Sequence, residues 1–212
     1  MSALAAPPRQ TRRYRLRKRA EHQAETRRRI VRAALAIYGD VGPARATISA
    51  IAARAGVERL TVYRHFPDEA ALLDAGVATV LETAPLPDMR AWFAERQPPE
   101  RLRTALRALY AWYRATDPPI AALIRAHSEI PAIGRALRPL TDSLAALPAA
   151  LSEGWPTFGP EGRRHLAGLI AHALDVSTWS TLARGPGLTD AEAADVLVAA
   201  AKSAAQNTQA PR

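Results

Sequence analysis

The chain has 212 residues, 48% of them apolar, no cysteine and a formal net charge of +9. That apolar content can bury a core and excludes a globally disordered chain, while the missing cysteine excludes disulfides, thiol nucleophiles and thiolate metal sites. No apolar run approaches the roughly 18 residues of a membrane helix, and the lack of cysteine suits a reducing cytoplasm.

The charge is unevenly placed. Residues 1–70 hold 15 Lys+Arg against 6 Asp+Glu, whereas residues 71–212 hold 14 of each. All the net charge therefore lies in the first third, the asymmetry expected of a nucleic-acid or membrane contact on one part of a molecule. Only Lys18 and Lys202 are lysines. Arginine in place of lysine, together with abundant alanine, is the trace of GC-rich bacterial coding rather than of chemistry. Pro7 to Ala20 is Arg-rich and acid-free, as an organelle-targeting peptide would be, yet it lacks an apolar face and runs straight into a basic helix. Residues 1–20 read as a basic disordered arm, either simply solvated or placed to neutralise phosphates or reach a minor groove.

Nearly every patterned segment then has the helical period. Ile30, Ala33, Ala34, Ile37 and Val41 recur on one helix face, which stops at Gly42-Pro43. Thr47 is an N-cap for a second helix with Ile48, Ile51, Ala52 and Ala55 inward, and Gly56 ends it. A third short helix covers about Glu58 to His65, with Val62 and Phe66 four apart and inward. Two helices joined by a tight glycine turn, the second showing Arg59, Leu60, Thr61, Tyr63 and Arg64 outward, follow the arithmetic of a helix-turn-helix. Those outward side chains can donate to guanine or phosphate and touch a thymine methyl. The alternative, a solvated helix corner, would more usually carry Glu and Lys and has no use for Tyr63.

Pro67-Asp68 starts a fourth helix with Leu73, Val77, Val80 and Leu81 inward. A short helix follows in the "RAWFAER" segment. Leu102, Leu106, Leu109, Tyr110 and Tyr113 mark a long helix ending at Asp117-Pro118-Pro119, and another covers 120–128. Leu137, Leu140, Leu144, Leu147 and Leu151 mark a helix that Pro139 and Pro148 must kink or interrupt. One helix is expected over 161–183. Thr189 with Glu192 forms a capping box for the last, with Val196, Leu197 and Ala200 along it. The fold class expected is all-α. Residues 21–67 read as a three-helix DNA-binding domain with a helix-turn-helix, and 68–206 as a larger helical domain.

The stretch "TISAIAARAGVERLTVYRHFPDEAALLDA" resembles the DNA-binding segment of the TetR family of bacterial transcriptional regulators, a resemblance that covers about residues 25–80. Carrying it are the Thr that opens helix two, the Ala-Gly-Val turn, Thr-x-Tyr in helix three, and Phe-Pro followed by a Leu-Leu pair. It implies that Thr47 bonds a phosphate with the helix-end amides. Arg59, Thr61 and Arg64 would face the major groove, with Arg59 or Arg64 as the bidentate partner of a guanine. Tyr63 would hold a phosphate and His65 the backbone or a base edge, while Arg27 to Arg29 and Arg45 add phosphate contacts. Two positions depart from the family's habit. Leu60 stands where Gly is common, and Glu69 stands at the start of helix four where Lys grips phosphate.

The resemblance also implies a homodimer through helices near 161–183 and 189–205, where Ala193, Ala200, Ala201 and Ala204 permit close approach. It further implies a small-molecule pocket in the second domain, for which Tyr110, Tyr113, His127, His172, Asp175 and Trp179 are candidates. His165, His172 and Trp179 repeat every seven residues, but no third ligand stands at useful spacing, so no metal and no cofactor is called for. No Gly-rich phosphate loop, G-x-S-x-G or H-E-x-x-H motif is present, which argues against an enzyme. The function expected is a homodimeric repressor of a near-palindromic DNA operator, released by a ligand. The alternative is an architectural DNA-binding protein with little sequence preference, which would leave the large neutral second domain without a purpose.

Overall fold

The computed structural model describes residues 9–156 and 159–206. Twelve α-helices and one 3-10 turn make up its regular structure, with no strand among the described residues. Helix α1 runs from Arg9 to Val41, and the 3-10 turn Pro43–Arg45 leads into α2 (Ile48–Ala55) and α3 (Arg59–His65). Then come α4 (Glu69–Thr83), α5 (Met89–Trp92), α6 (Pro98–Thr116), α7 (Pro119–Ala126), α8 (Pro131–Ala145) and α9 (Leu147–Ser152). The last three are α10 (Gly159–Leu174), α11 (Val176–Arg184) and α12 (Asp190–Gln206).

Three expectations are corrected. The segment read as a disordered arm is helical from Arg9 onward, while residues 1–8 lie outside the described part. Between Gln10 and Arg32 there is no Gly or Pro, most residues are good helix formers, and Arg17 pairs with Glu21 one turn on at 2.9 Å. Val41 does not continue the inward face of α1: it is 45% exposed, and Val31 and Tyr38 are buried beside Ile30, Ala33 and Ala34 instead. The helix expected over 161–183 is two, because Asp175 turns to extended backbone and caps α11 by accepting from the Ser177 amide at 2.6 Å. His165 and His172 are consequently exposed while Trp179 is buried, so the three share no face.

The caps and breaks otherwise follow local chemistry. Thr47 Oγ1 accepts from the Ala50 amide at 3.1 Å, and Asp68 caps α4 through the Ala71 amide at 2.8 Å. Thr189 and Glu192 close a reciprocal capping box on α12. Pro139 sits inside α8, and Pro148 falls in the first turn of α9, where its missing N–H costs nothing.

The buried apolar residues form one connected core from Ile30 to Ala205. Helix α1 packs on α2, α4 and α7, and α4 packs on α8, so the N-terminal helices are seated on the second unit. Gly39 makes that seat possible: an added Cβ would lie 2.7 Å from the Pro118 Cγ. In the second unit α6 lies against α12, and α10 against α9 and α12. Among the described residues, no helix is long and apolar enough to cross a membrane.

Candidate nucleic-acid interface

Helices α2 and α3 meet at Gly56, whose φ of 64° lies in the left-handed region that glycine adopts without strain. Its amide and that of Val57 close the end of α2 on Ala53 and Ala52. Ile48, Ile51, Ala52 and Ala55 of α2 are buried, as are Val62 and Phe66 at 1% exposure. With Val62 and Phe66 turned inward, the opposite arc of α3 has to face solvent. Arg59, Leu60, Tyr63 and Arg64 are exposed there, with Leu60 at 58% and Tyr63 at 43%. Thr61 and His65 are half-buried at the edges of the arc.

The arginines around this face divide by what holds them. Among the described residues Arg45, Arg59 and Arg64 are exposed and form no ion pair, which leaves their charge for an external anion. Arg27 lies with its guanidinium carbon 4.5 Å from the centre of the Phe66 ring. Arg28 is paired with Glu25 at 2.7 Å, and Arg32 with the same carboxylate at 2.9 Å. These two arginines, Arg28 first, hold the Glu25 carboxyl below the ordinary carboxylate range. Arg29, expected among the phosphate contacts, is committed internally. Its guanidinium donates to the Ala55 carbonyl at 2.6 and 3.2 Å and to the Gly56 carbonyl at 3.1 Å. The reason is the orphan carbonyls at the end of α2, which α1 crosses. Nothing in the local sequence separates Arg29 from its two neighbours; only a contact between residues 26 apart does.

The six residues proposed for a ligand pocket lie in three places. Tyr110 and Tyr113 are buried on α6 and donate their hydroxyls to the Ala173 and Leu174 carbonyls at 2.6 and 2.7 Å. Burial pushes both phenol pKa values up. Trp179 packs 5.8 Å from Tyr113, ring centre to ring centre, and its indole donates to Asp190 at 3.0 Å. These three tie α6 to the α10–α11 junction and to the start of α12. His172 and Asp175 instead line a surface groove with Thr178, Thr181 and Leu197. His127 stands apart at the end of α7, with its ring against the Ile124 carbonyl. Sequence reasoning also missed Arg114, which pairs with Asp190 at 2.7 Å across 76 residues.

Comparison with known proteins agrees with this geometry. Residues 30–75 match the family model described as bacterial regulatory proteins, tetR family. An uncharacterized HTH-type transcriptional regulator of Mycobacterium tuberculosis is 46% identical over 68 residues, covering 30% of this chain and 36% of that protein. The chain thus matches only about a third of the length of its curated relatives. A solved transcriptional regulator from Rhodococcus sp. Rha1 is similar over 86% of this chain and 99% of its own, with a TM-score of 0.56 at 20% identity. A Clostridium perfringens protein described as a candidate fatty acid metabolism regulator gives a TM-score of 0.58 at 15% identity, over 86% of this chain and 100% of its own. At such identities these two likenesses concern the fold, which extends the agreement beyond the helix-turn-helix to the second helical unit. Residues 30–75 thus carry the helix-turn-helix of the tetR family of bacterial regulatory proteins, set on a helical body with the fold of these solved regulators.

Proposed function

We propose that the chain is a homodimeric transcriptional repressor that reads a near-palindromic duplex operator through α3 and is released by a small-molecule ligand. The observation that carries the reading is the outward arc of α3. Arg59, Tyr63 and Arg64 stand exposed on one short helix, without ion-pair partners among the described residues, and Val62 and Phe66 anchor the opposite side. Arg59 and Arg64 supply the major-groove contacts, one of them bidentate to guanine, and Leu60 lies against a thymine methyl. Thr47, at the N-terminus of α2, and Tyr63 and Arg45 hold phosphates that set the register. Thr61 and His65 contribute from the edges of the arc. Arg27 and Arg28 add phosphate contacts at its flank, as does the exposed basic stretch of α1 around Arg15 to Arg19.

The dimer is formed by α10 and α12, with α11 beside them. Ala193 and Ala201 are buried within the chain, so the close approach falls to other small residues. Gly168 has open space around an added Cβ, Val196 is 52% exposed, and Ala200 is half-buried. Two-fold pairing through that face gives two recognition helices for two half-sites about one helical turn apart. Ligand release follows if the ligand prefers a conformer with a different half-site separation, its effect being set by that differential affinity. The groove of His172 and Asp175 and the buried cluster of Tyr110, Tyr113 and Trp179 are the places for it in the second unit, the cluster requiring α6 to part from the α10–α11 junction. His127 lies away from both.

Selection from random duplex DNA at near-physiological salt tests the reading. Near-palindromic half-sites should be enriched, and Arg59→Ala or Arg64→Ala should cost about 1–3 kcal/mol at single base positions. Binding without an enriched motif, which vanishes as salt rises, would instead make the chain an architectural DNA coater.

A further inference from the structure

A cleft opens between the helix-turn-helix unit and the start of α8. On one side stand Ile48 and Ile51 of α2, on another Leu73 of α4, and on the third Ile133 of α8. The space open to the centre of a water-sized sphere is about 70 Å³. At about 10–15 Å³ for each water this takes an occupant of roughly five heavy atoms. Apart from Tyr38 and Glu69, the lining residues are apolar. No Lys, Arg or His lines the cleft, so Glu69 is its only charged residue, in a chain whose net charge is +9. Glu69 forms no ion pair among the described residues. Tyr38 is 6% exposed as a residue, and its side chain lines the cleft. Burial, and secondarily the Glu69 carboxylate, push the Tyr38 phenol up to about 12, which puts the two groups within each other's field.

A hydroxyl open to the cleft and an exposed, unpaired carboxylate, both on the rim of an apolar slot, make a receptor for a compact donor-rich cation. We propose that this cleft binds a small primary alkylammonium ion. Its ammonium donates to the Glu69 carboxylate and the Tyr38 hydroxyl oxygen, and its alkyl chain lies among Ile48, Ile51, Leu73 and Ile133. A neutral alcohol of the same length fills the slot but forgoes the charge-assisted bonds, which are about twice as strong as neutral ones. The site is separate from the Tyr110–Trp179 cluster and from the groove of His172. It bridges α2 to α8.

The test is a titration of the full chain with n-butylammonium chloride, and in parallel with n-butanol, observed at the isoleucine methyl resonances. Saturable shifts are expected at Ile48, Ile51 and Ile133, with a dissociation constant in the millimolar range for so small a ligand. Glu69→Gln, an exposed change that leaves the packing alone, should weaken butylammonium by about tenfold and leave butanol within about twofold. Tyr38→Phe should weaken butylammonium by a smaller factor. Three results would overturn the proposal: no saturable shift at these methyls, equal affinity for butanol and butylammonium, or an unchanged butylammonium affinity in Glu69→Gln.

Discussion

Among the arginines of α1, neighbours in sequence have unlike partners. Arg27 covers the Phe66 ring, Arg28 pairs with Glu25, and Arg29 holds the carbonyls that end α2. The first and third brace the recognition helix from behind, one at its C-terminal end and one at the turn before it. Arg29→Ala should remove charge-assisted bonds and leave two carbonyls to water, a loss of about 1.5–3 kcal/mol. For a chain of this size that lowers the Tm by roughly 3–12 °C. Arg29→Lys restores the charge but not the fork that reaches both carbonyls, and should recover only part of the loss. Thermal unfolding of the two variants checks this. A phosphate-contact role alone would leave the Tm unchanged.

At the scale of elements, the seat of α1 on α7 depends on what is missing from Gly39. In an isolated helix Ala would be favoured there by about 1 kcal/mol. Here the new Cβ would meet the Pro118 ring at 2.7 Å, with Pro119 backbone behind it at 3.5 Å. Gly39→Ala should therefore destabilise by about 1–3 kcal/mol, against its helix propensity. Urea unfolding measures the sign directly. A gain in stability would mean that α1 and α7 are not packed as described. The break between α10 and α11 belongs to the same scale. Asp175 trades one helical residue for a cap, and this lets Trp179 turn inward to Tyr113 while His172 stays outside.

Across the whole molecule the two ends of the chain have opposite electrostatic habits. The N-terminal helices carry the excess of positive charge, whereas the second unit is balanced in charge and uses ion pairs to join its helices. Arg103 and Arg107 meet Asp195, and Arg114 meets Asp190, so α6 is tied to α12 along its length. Hydrogen bonds from Arg114, then from Trp179, hold the Asp190 carboxyl below the ordinary range, and Arg103 does the same for Asp195. A carboxyl whose folded pKa is depressed binds its proton more readily in the unfolded chain. Its contribution is thus complete above the unfolded values, about 3.9 for Asp and 4.3 for Glu, and is lost as pH falls through the folded value. Stability should accordingly be level from about pH 5 to 7 and drop below about pH 4. Asp190→Asn should be less stable than the parent at pH 7, and the two should converge in acid. A constant gap across that range would show that the Asp190 charge contributes nothing.

The sequence by itself determined the helical class, the charge division and the α2–turn–α3 segment, down to Thr47, Gly56, Val62 and Phe66. Each of these is written in local terms: a period of 3.6, a capping side chain, a glycine at a left-handed turn, a run of like charge. Which of Arg27, Arg28 and Arg29 is spent internally, and that Tyr38 and Glu69 line one apolar cleft, depend on the tertiary structure. It also decided that Tyr110 and Tyr113 bond to α10 carbonyls while His127 stands elsewhere. The bonds of Arg29, Tyr110 and Tyr113 join residues 26 to 63 apart. They are set by where helices cross, and a crossing depends on the summed packing of both faces rather than on any pattern within either segment.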